Sequence, residues 1–243
     1  MRNFDPATSF GKRVAARYDE QLRGDEVETV DFLYEQARGG PVLELAIGTG
    51  RIGLPLAQRG LEVHGIELSD AMVEQLRKKP GGDGIPVTMG DYADVGVGGS
   101  YRLIFVVFNT FYNLLTQDKQ VRCFENVAKH LTDDGVFIIE AAMATHLTTL
   151  RDMQYVDAEA VELDSVTLDV ARFDIVEQTL DENHVTIGEQ GITFGPIVTR
   201  YVWPSEMDLM ARIAGLRLQE RFGGWRGEPF DKSSWRYVAV YSR

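Results

Sequence analysis

The run Leu103 to Phe108 is almost wholly apolar. A strand without a polar face must be covered on both sides, which is the situation of a central strand in a parallel sheet packed between helices. The segments around it repeat one unit. Val42 to Ile47 reads as a strand, a glycine-rich turn follows, and Ile52 to Arg59 reads as a helix closed by Gly60. Glu62 to Leu68 is the next strand and Asp70 to Lys79 the next helix, with Ser69 as its N-cap, before the loop Pro80 to Gly84 and the strand Pro86 to Met89. Gln117 to Leu131 carries Val121, Phe124, Val127, Ala128 and Leu131 at helical spacing, and Asp133-Asp134-Gly135 turns the chain into the strand Val136 to Glu140. A helix from Glu26 to Arg38 precedes the first strand and ends at Gly39-Gly40-Pro41. This alternation predicts an α/β fold: a doubly wound, mostly parallel sheet with right-handed crossovers, whose ligand site lies at the carboxyl ends of the strands.

After His146 the pattern changes. Val161 to Tyr201 holds β-rich runs, broken by Asp181-Glu182-Asn183 and by Gly188, without long helical periods, and is expected to form an antiparallel insertion. A helix Ser205 to Ala214, stopped by Gly215, and strands near Leu216 to Phe222 and Trp235 to Tyr241 return the chain to the main sheet and bring it to seven strands. The expected organisation is a cofactor domain of residues 1–145 and 204–243, interrupted by a β-rich insertion at 146–203.

Acidic residues outnumber basic ones 37 to 25, for a formal net charge of −12. A nucleic-acid binder needs basic residues against phosphates, so this balance points to a small-molecule substrate and away from DNA, RNA or an anionic membrane surface. No stretch approaches the roughly 18 apolar residues of a membrane helix, and the N-terminus lacks a signal-peptide core, so a cytoplasmic protein is expected, as a monomer or homodimer. Cys123 is the only cysteine, which excludes an internal disulfide and a cysteine-cluster metal site; it sits in an apolar helical pattern and is expected to pack. No metal site is expected.

The stretch Glu44 to Gly53 contains Gly48-Thr49-Gly50-Arg51-Ile52-Gly53, a Gly-x-Gly-x-x-Gly pattern that starts at a strand end and runs into a helix. Glycines permit a sharp turn and close approach of backbone to a ligand. Glu67, at the end of the second strand, lies where an acidic side chain accepts hydrogen bonds from ribose hydroxyls. The two features make adenosine recognition the leading reading, but they do not separate NAD from S-adenosylmethionine (SAM), since both carry a ribose and an adenine.

The stretch Val42-Leu43-Glu44-Leu45-Ala46-Ile47-Gly48-Thr49-Gly50-Arg51 closely resembles the first motif of class I SAM-dependent methyltransferases. The resemblance continues in order through Gly65 to Ser69, Gly90-Asp91-Tyr92, Phe108-Asn109-Thr110 and Leu131 to Val136. It implies a Rossmann-like methyltransferase fold, SAM as cofactor and S-adenosylhomocysteine as product. It also implies that Gly48 and Gly50 pass under the methionine portion, Glu67 binds the ribose, Asp91 meets the adenine amino group, and Leu68, Met72 and Tyr92 wall the adenine. Glu44, Ala46, Arg51, Phe108 and Asn109 join the implied cofactor set. Ala46-Ile47 stands where many members have Gly-Cys or Gly-Ala, so a Cβ must be tolerated near the cofactor. Arg17-Tyr18-Asp19 resembles the Tyr-Asp element that folds over SAM in small-molecule members, which implies that Tyr18 closes the pocket.

The loop Phe108 to Asn113 leaves the sheet at its ligand edge, so Asn109, Tyr112 and Asn113 are candidates for the methyl-transfer region, while Phe111 and Tyr112 fit ordinary packing equally well. His146 follows the fifth strand and is the candidate general base; His64, His130 and His184 lie within or beside core elements. SAM carries a good leaving group, so alignment and desolvation can suffice without a base. The insertion resembles the substrate lid of amino-sugar N-methyltransferases, with Arg200, Tyr201 and Trp203 at its exit as candidates for holding substrate. The whole implies methyl transfer to a nitrogen or oxygen of a small molecule. A nonenzymatic SAM-binding regulator and an enzyme using SAM for other chemistry remain open; an NAD oxidoreductase would need a Tyr-x-x-x-Lys pair beyond the fourth strand, which is absent.

Overall fold

The computed structural model describes residues 4–5, 9–20, 22–94, 96–145 and 152–243. A short helix α1 (Lys12–Ala15) and the helix α2 (Glu26–Ala37) lead into β1 (Val42–Leu45), α3 (Gly53–Gln58), β2 (Val63–Glu67), α4 (Asp70–Arg77), β3 (Val87–Met89) and β4 (Tyr101–Val106). There follow α5 (Gln117–His130), β5 (Leu131–Ala142), the strands β6 (Gln154–Val161), β7 (Ser165–Asp174), β8 (Thr179–Gly188) and β9 (Gly191–Arg200), then α6 (Pro204–Ile213), β10 (Arg217–Phe222) and β11 (Arg236–Ser242). The main sheet runs β10-β11-β5-β4-β1-β2-β3. Its strands β3, β2, β1, β4 and β5 are parallel, and β11 runs antiparallel to both neighbours. The expected doubly wound seven-stranded sheet is therefore present.

Every residue of β1 and β4 is buried, as the apolar run requires. Alternation sends Leu43, Leu45, Ile104 and Val106 to one face, where they pack with α5 residues such as Cys123 and Phe124, and Val42, Leu103 and Phe105 to the other, with α2 residues such as Leu33. From β1 the chain winds toward β2 and β3; from β4 it winds the opposite way, toward β5. The crevice between the carboxyl ends of β1 and β4 is thus the switch point at which open α/β sheets bind ligands.

Local chemistry fixes the helix starts next to this crevice. Ser69 caps α4 by accepting the Met72 N–H, and Thr116 caps α5 by accepting the Lys119 N–H. Strand β5 begins earlier than expected, because Leu131 already pairs with Tyr101 before Val136 pairs with Leu103; Asp133-Asp134-Gly135 forms an irregularity within the strand.

The insertion is a four-stranded antiparallel sheet in the order β6-β7-β8-β9. Asp181-Glu182-Asn183, expected to break a strand, lies inside β8 opposite Arg172, Ala171 and Val170. Cross-strand chemistry overrides the turn-like composition: Arg172 pairs with Asp181 at 3.1 Å, and the Tyr155 hydroxyl donates to Glu182 at 3.2 Å. Pro196 is accommodated because β9 is an edge strand. No helix among the described residues is long and apolar enough to cross a membrane.

Two core residues give measurable consequences. Phe124 is fully buried and meets Phe111, Phe137 and Tyr241 edge to face at 5.6, 5.3 and 5.6 Å. Phe124→Ala is expected to lower unfolding stability by about 3–5 kcal/mol in urea melts; a loss below about 1 kcal/mol would contradict this packing. Glu44, within β1, is also buried, and its carboxyl is held well above its ordinary pKa by burial, with the Glu67 charge adding to the rise. The folded chain then keeps a proton that the unfolded chain has lost, so Glu44 makes stability fall as pH rises above the ordinary carboxylate range. Glu44→Gln removes that dependence. The melting temperature of the variant relative to the parent should rise by at least roughly 2 °C more at pH 8 than at pH 5, whereas an equal difference at both pH values would refute it.

Candidate functional site

Beyond Leu45 the chain makes its glycine turn with three left-handed residues, Ala46 at φ 57°, Gly48 at 58° and Gly50 at 75°. Ala46 adopts this region at a cost of roughly 1–2 kcal/mol. At Gly48 an added Cβ would lie 3.3 Å from Met72 Cε, and at Gly50 it would overlap Leu76, so these glycines let the turn lie flat against α4. Below the turn, one oxygen of the buried Glu44, Oε2, approaches Gly53 without a well-formed hydrogen bond.

Glu67 ties this turn to the next one. Its Oε2 accepts the Gly48 N–H at 2.8 Å, and its Oε1 accepts the N–H groups of Leu68 at 2.9 Å and Ser69 at 2.8 Å. Burial raises its carboxyl pKa, and these three amides oppose the rise.

A cavity of about 330 Å³ opens above this junction. It is lined by Glu44, Ala46 and Gly48 from β1 and the glycine turn, by Glu67, Leu68, Met72, Asp91 and Tyr92, and by Tyr18, Arg51 and Phe108. Asn113 also faces it. Asp91 Oδ1 accepts the Ala93 N–H at 3.0 Å, while Oδ2 pairs with Lys119 Nζ at 2.7 Å. Tyr92 donates its hydroxyl to the Thr110 carbonyl at 2.7 Å, and burial raises its phenol well above the ordinary value.

The N-terminal segment forms the cover. Phe10 and Tyr18 line the cavity and meet edge to face at 6.2 Å, and Ala15 packs against Ala71 and Met72. The Phe10 carbonyl accepts the Ser69 hydroxyl at 2.7 Å, and Thr49 donates to Asp19 at 2.6 Å. Burial alone would raise the Asp19 carboxyl, but hydrogen bonds from Lys79 and Thr49 bring it below its ordinary pKa. Arg51 stacks over the Tyr18 ring at 4.5 Å, lies 5.5 Å from the centre of the Phe108 ring, and donates through Nη2 to the Tyr18 carbonyl at 2.6 Å. Its Nε is buried without a hydrogen bond, 4.0 Å from Asp19 Oδ1.

Several other candidate residues lie away from this lining. Gly50 packs under the turn against α4. Asn109 directs Oδ1 to the Ala142 N–H at 2.6 Å, and Tyr112 gives its hydroxyl to the Ala142 and Val202 carbonyls at 2.7 and 3.2 Å. Arg200 is buried in an ion pair with Glu206 at 2.8 Å and a hydrogen bond to Gln120, where it joins the root of the insertion to α5 and α6. Tyr201 is buried between Phe173 and Trp203. His146 lies outside the described residues. Phe10, Thr49, Ser69 and Lys119 line the cavity but were not expected from sequence. Ser69 announced itself only as a cap, and Lys119 reads in sequence as one of the solvated lysines of an amphipathic helix.

Residues 42–135 match a family model described as a methyltransferase domain. The CcbJ methyltransferase from Streptomyces caelestis superposes with a TM-score of 0.91 at 34% identity, covering 98% of this chain and 99% of that one. Cypemycin N-terminal methyltransferase from a Streptomyces species is 26% identical over 212 residues, 84% of each chain. The dTDP-4-amino-2,3,4,6-tetradeoxy-D-glucose N,N-dimethyltransferase of Saccharopolyspora spinosa is 32% identical over 118 residues, 48% of this chain and 45% of that one. An identity of 34% sustained along nearly the full length of both chains means that this chain belongs to the SAM-dependent methyltransferases.

Proposed function

We propose that SAM binds in the cavity at the carboxyl ends of β1, β2 and β4, and that its methyl group passes to a nitrogen or oxygen of a small-molecule acceptor. The observation that carries this reading is Arg51. It lines the cavity, its side chain is only 11% exposed, and its carboxylate neighbours Asp19 and Glu26 stand at 4.0 and 3.7 Å, beyond hydrogen-bond distance. A guanidinium carries five N–H donors, so capacity remains for the α-carboxylate of SAM. The Glu67 carboxylate has about four acceptor positions for three amides, which leaves capacity for a ribose hydroxyl. Leu68, Met72 and Tyr92 offer apolar surface to the adenine, and Asp91 offers an acceptor for its amino group.

The same residues disfavour a dinucleotide. The Gly48 N–H is committed to Glu67, and Glu44 lies directly beneath the turn. A diphosphate placed there would meet the Glu67 carboxylate where it needs free amides.

SAM supplies a methyl group on a positively charged sulfur that leaves as a neutral thioether. The chain therefore has to align the acceptor and exclude water. Tyr18 and Phe108 line the cavity with aromatic rings on which Arg51 and Arg23 already stack, and Asn113 adds a polar group to the lining. His146 is our candidate for taking up the acceptor proton. The names of two relatives put the methyl group on nitrogen, one at a peptide N-terminus and one on an amino sugar, which favours an amine acceptor here. The domain assignment is residues 1–145 and 204–243 for the cofactor and 146–203 as substrate lid. Contacts of Ser9 and Arg13 with the Pro196 and Phe194 carbonyls of β9, at 3.4 and 2.5 Å, support a lid that meets the cofactor cover.

Calorimetric titration should show micromolar binding of SAM and S-adenosylhomocysteine and none of NAD; binding of NAD alone would overturn the reading. Glu67→Ala should weaken SAM by roughly 1–3 kcal/mol, and unchanged affinity in a folded variant would remove Glu67 from the site. Arg51→Met should weaken S-adenosylhomocysteine by about tenfold or more, the value of a charge-assisted hydrogen bond. It should leave 5′-methylthioadenosine, which has no carboxylate, nearly unaffected. Equal losses for both ligands would contradict a carboxylate contact.

A further inference from the structure

The loop after β4 turns on two consecutive left-handed residues that are not glycine, Phe108 at φ 59° and Asn109 at φ 61°. Each is costly to hold, so the surroundings must impose it. Two hydrogen bonds do so. Asn109 Oδ1 accepts the Ala142 N–H, and the Phe108 N–H donates to Glu140 Oε2 at 2.8 Å.

Glu140 sits within β5 and is 1% exposed. A carboxylate this deep needs charge partners, and they come from distant parts of the chain. Arg23 Nη2 reaches Oε1 at 2.9 Å and Arg23 Nη1 reaches Oε2 at 3.2 Å, a two-point pairing across 117 residues. Arg236 Nη1 adds a contact to Oε1 at 3.1 Å and also bonds Asp25. The Arg23 guanidinium, besides pairing with Glu140, lies 4.5 Å from the centre of the Phe108 ring. Arg23 therefore touches both the ring of Phe108 and the carboxylate that holds its backbone.

We propose that Glu140 and Arg23 are positioning residues for methyl transfer. Glu140 sets the backbone of Phe108, and Arg23, carried by the N-terminal segment, sets Glu140 and the Phe108 ring together. Seating of the cover over the cavity and shaping of the Phe108 wall are then one event. The inference rests on the cavity being the SAM site. It goes beyond that reading by assigning a task to two residues that do not line the cavity.

The test is hydrogen–deuterium exchange on the full chain, with and without saturating S-adenosylhomocysteine, in the parent, Arg23→Met, Arg23→Lys and Glu140→Gln. In the parent, the ligand should slow exchange in residues 10–20 and in residues 107–113. In ligand-saturated Arg23→Met, both segments should exchange at least about tenfold faster than in the ligand-bound parent, while residues 46–50 stay protected. Arg23→Lys, which keeps the charge but not the two-point geometry, should recover part of that protection. Glu140→Gln, which keeps the volume but loses the charge, should accelerate the same two segments. Acceleration confined to one segment, or none in a folded, ligand-bound Arg23→Met, would overturn the coupling. Failure of the parent to bind S-adenosylhomocysteine would overturn the cofactor assignment itself, and this inference with it.

Discussion

Glu67 receives the Gly48 N–H from one turn and the Leu68 and Ser69 N–H groups from the next. One carboxylate thus ties two crossover connections at their ligand ends, alongside the backbone bond from the Ile47 N–H to the Ile66 carbonyl at 3.0 Å. The strands deliver Glu67 there, because β1 and β2 pair in parallel from Val42–Val63 to Leu45–Ile66. The glycine turn can then lie close against α4, and the floor of the cavity follows. Burial makes the carboxylate expensive, the three amides compensate in part, and what acceptor capacity remains faces the cavity. A side chain with this balance is at once a structural tie and an unfinished binding site.

The parts of the site that were legible in the sequence share a property: their residues sit within a few positions of a strand end. Glu44, Ala46, Gly48, Glu67 and Asp91 are read off the motif because the strand carries them to the crevice whatever the rest of the chain does. Residues whose place depends on tertiary pairing were read less well. Asn109 is a polar residue on the correct loop, but its amide holds Ala142. Arg200 has the chemistry of an anion receptor, yet it is buried against Glu206 and Gln120. Asp181 to Asn183 have the composition of a turn, and only the register that brings Arg172 opposite Asp181 shows why they continue a strand. The Arg23–Glu140 pair joins residues 117 apart, a distance over which local pattern carries no information.

The electrostatic layout explains how an acidic chain offers a site to a ligand with a positive sulfur and a negative carboxylate. Two acids flank the turn, Glu44 below it, kept protonated by burial, and the Glu67 carboxylate beside it. Arg51 is the arginine of the cavity lining and the proposed partner of the SAM carboxylate. It is stacked on Tyr18 and lies near Phe108, and Asp19 and Glu26 stand 4.0 and 3.7 Å from its guanidinium. Nearby acids limit the net positive charge that Arg51 presents, which in the proposed reading lets a carboxylate bind without strong repulsion of the sulfonium.

The cover over the cavity is held differently from the sheet beneath it. The centre of the sheet, β1 and β4, is buried at every residue, which resists partial opening. The described part of the N-terminal segment before α2 fully buries a single apolar residue, Ala15, packs Phe10 and Tyr18 partly against Ala71 and Met72, and is further tied by polar contacts: Asp19 with Lys79 and Thr49, Arg51 with the Tyr18 carbonyl, Arg23 with Glu140. Polar contacts are exchanged for water at small net cost, whereas exposing apolar surface costs about 25 cal/mol per Å². The polar ties that reach the cavity end on residues that shape it or hold one that does, namely Thr49, Arg51 and, through Glu140, Phe108, whereas Ser9 and Arg13 reach the carbonyls of β9 instead.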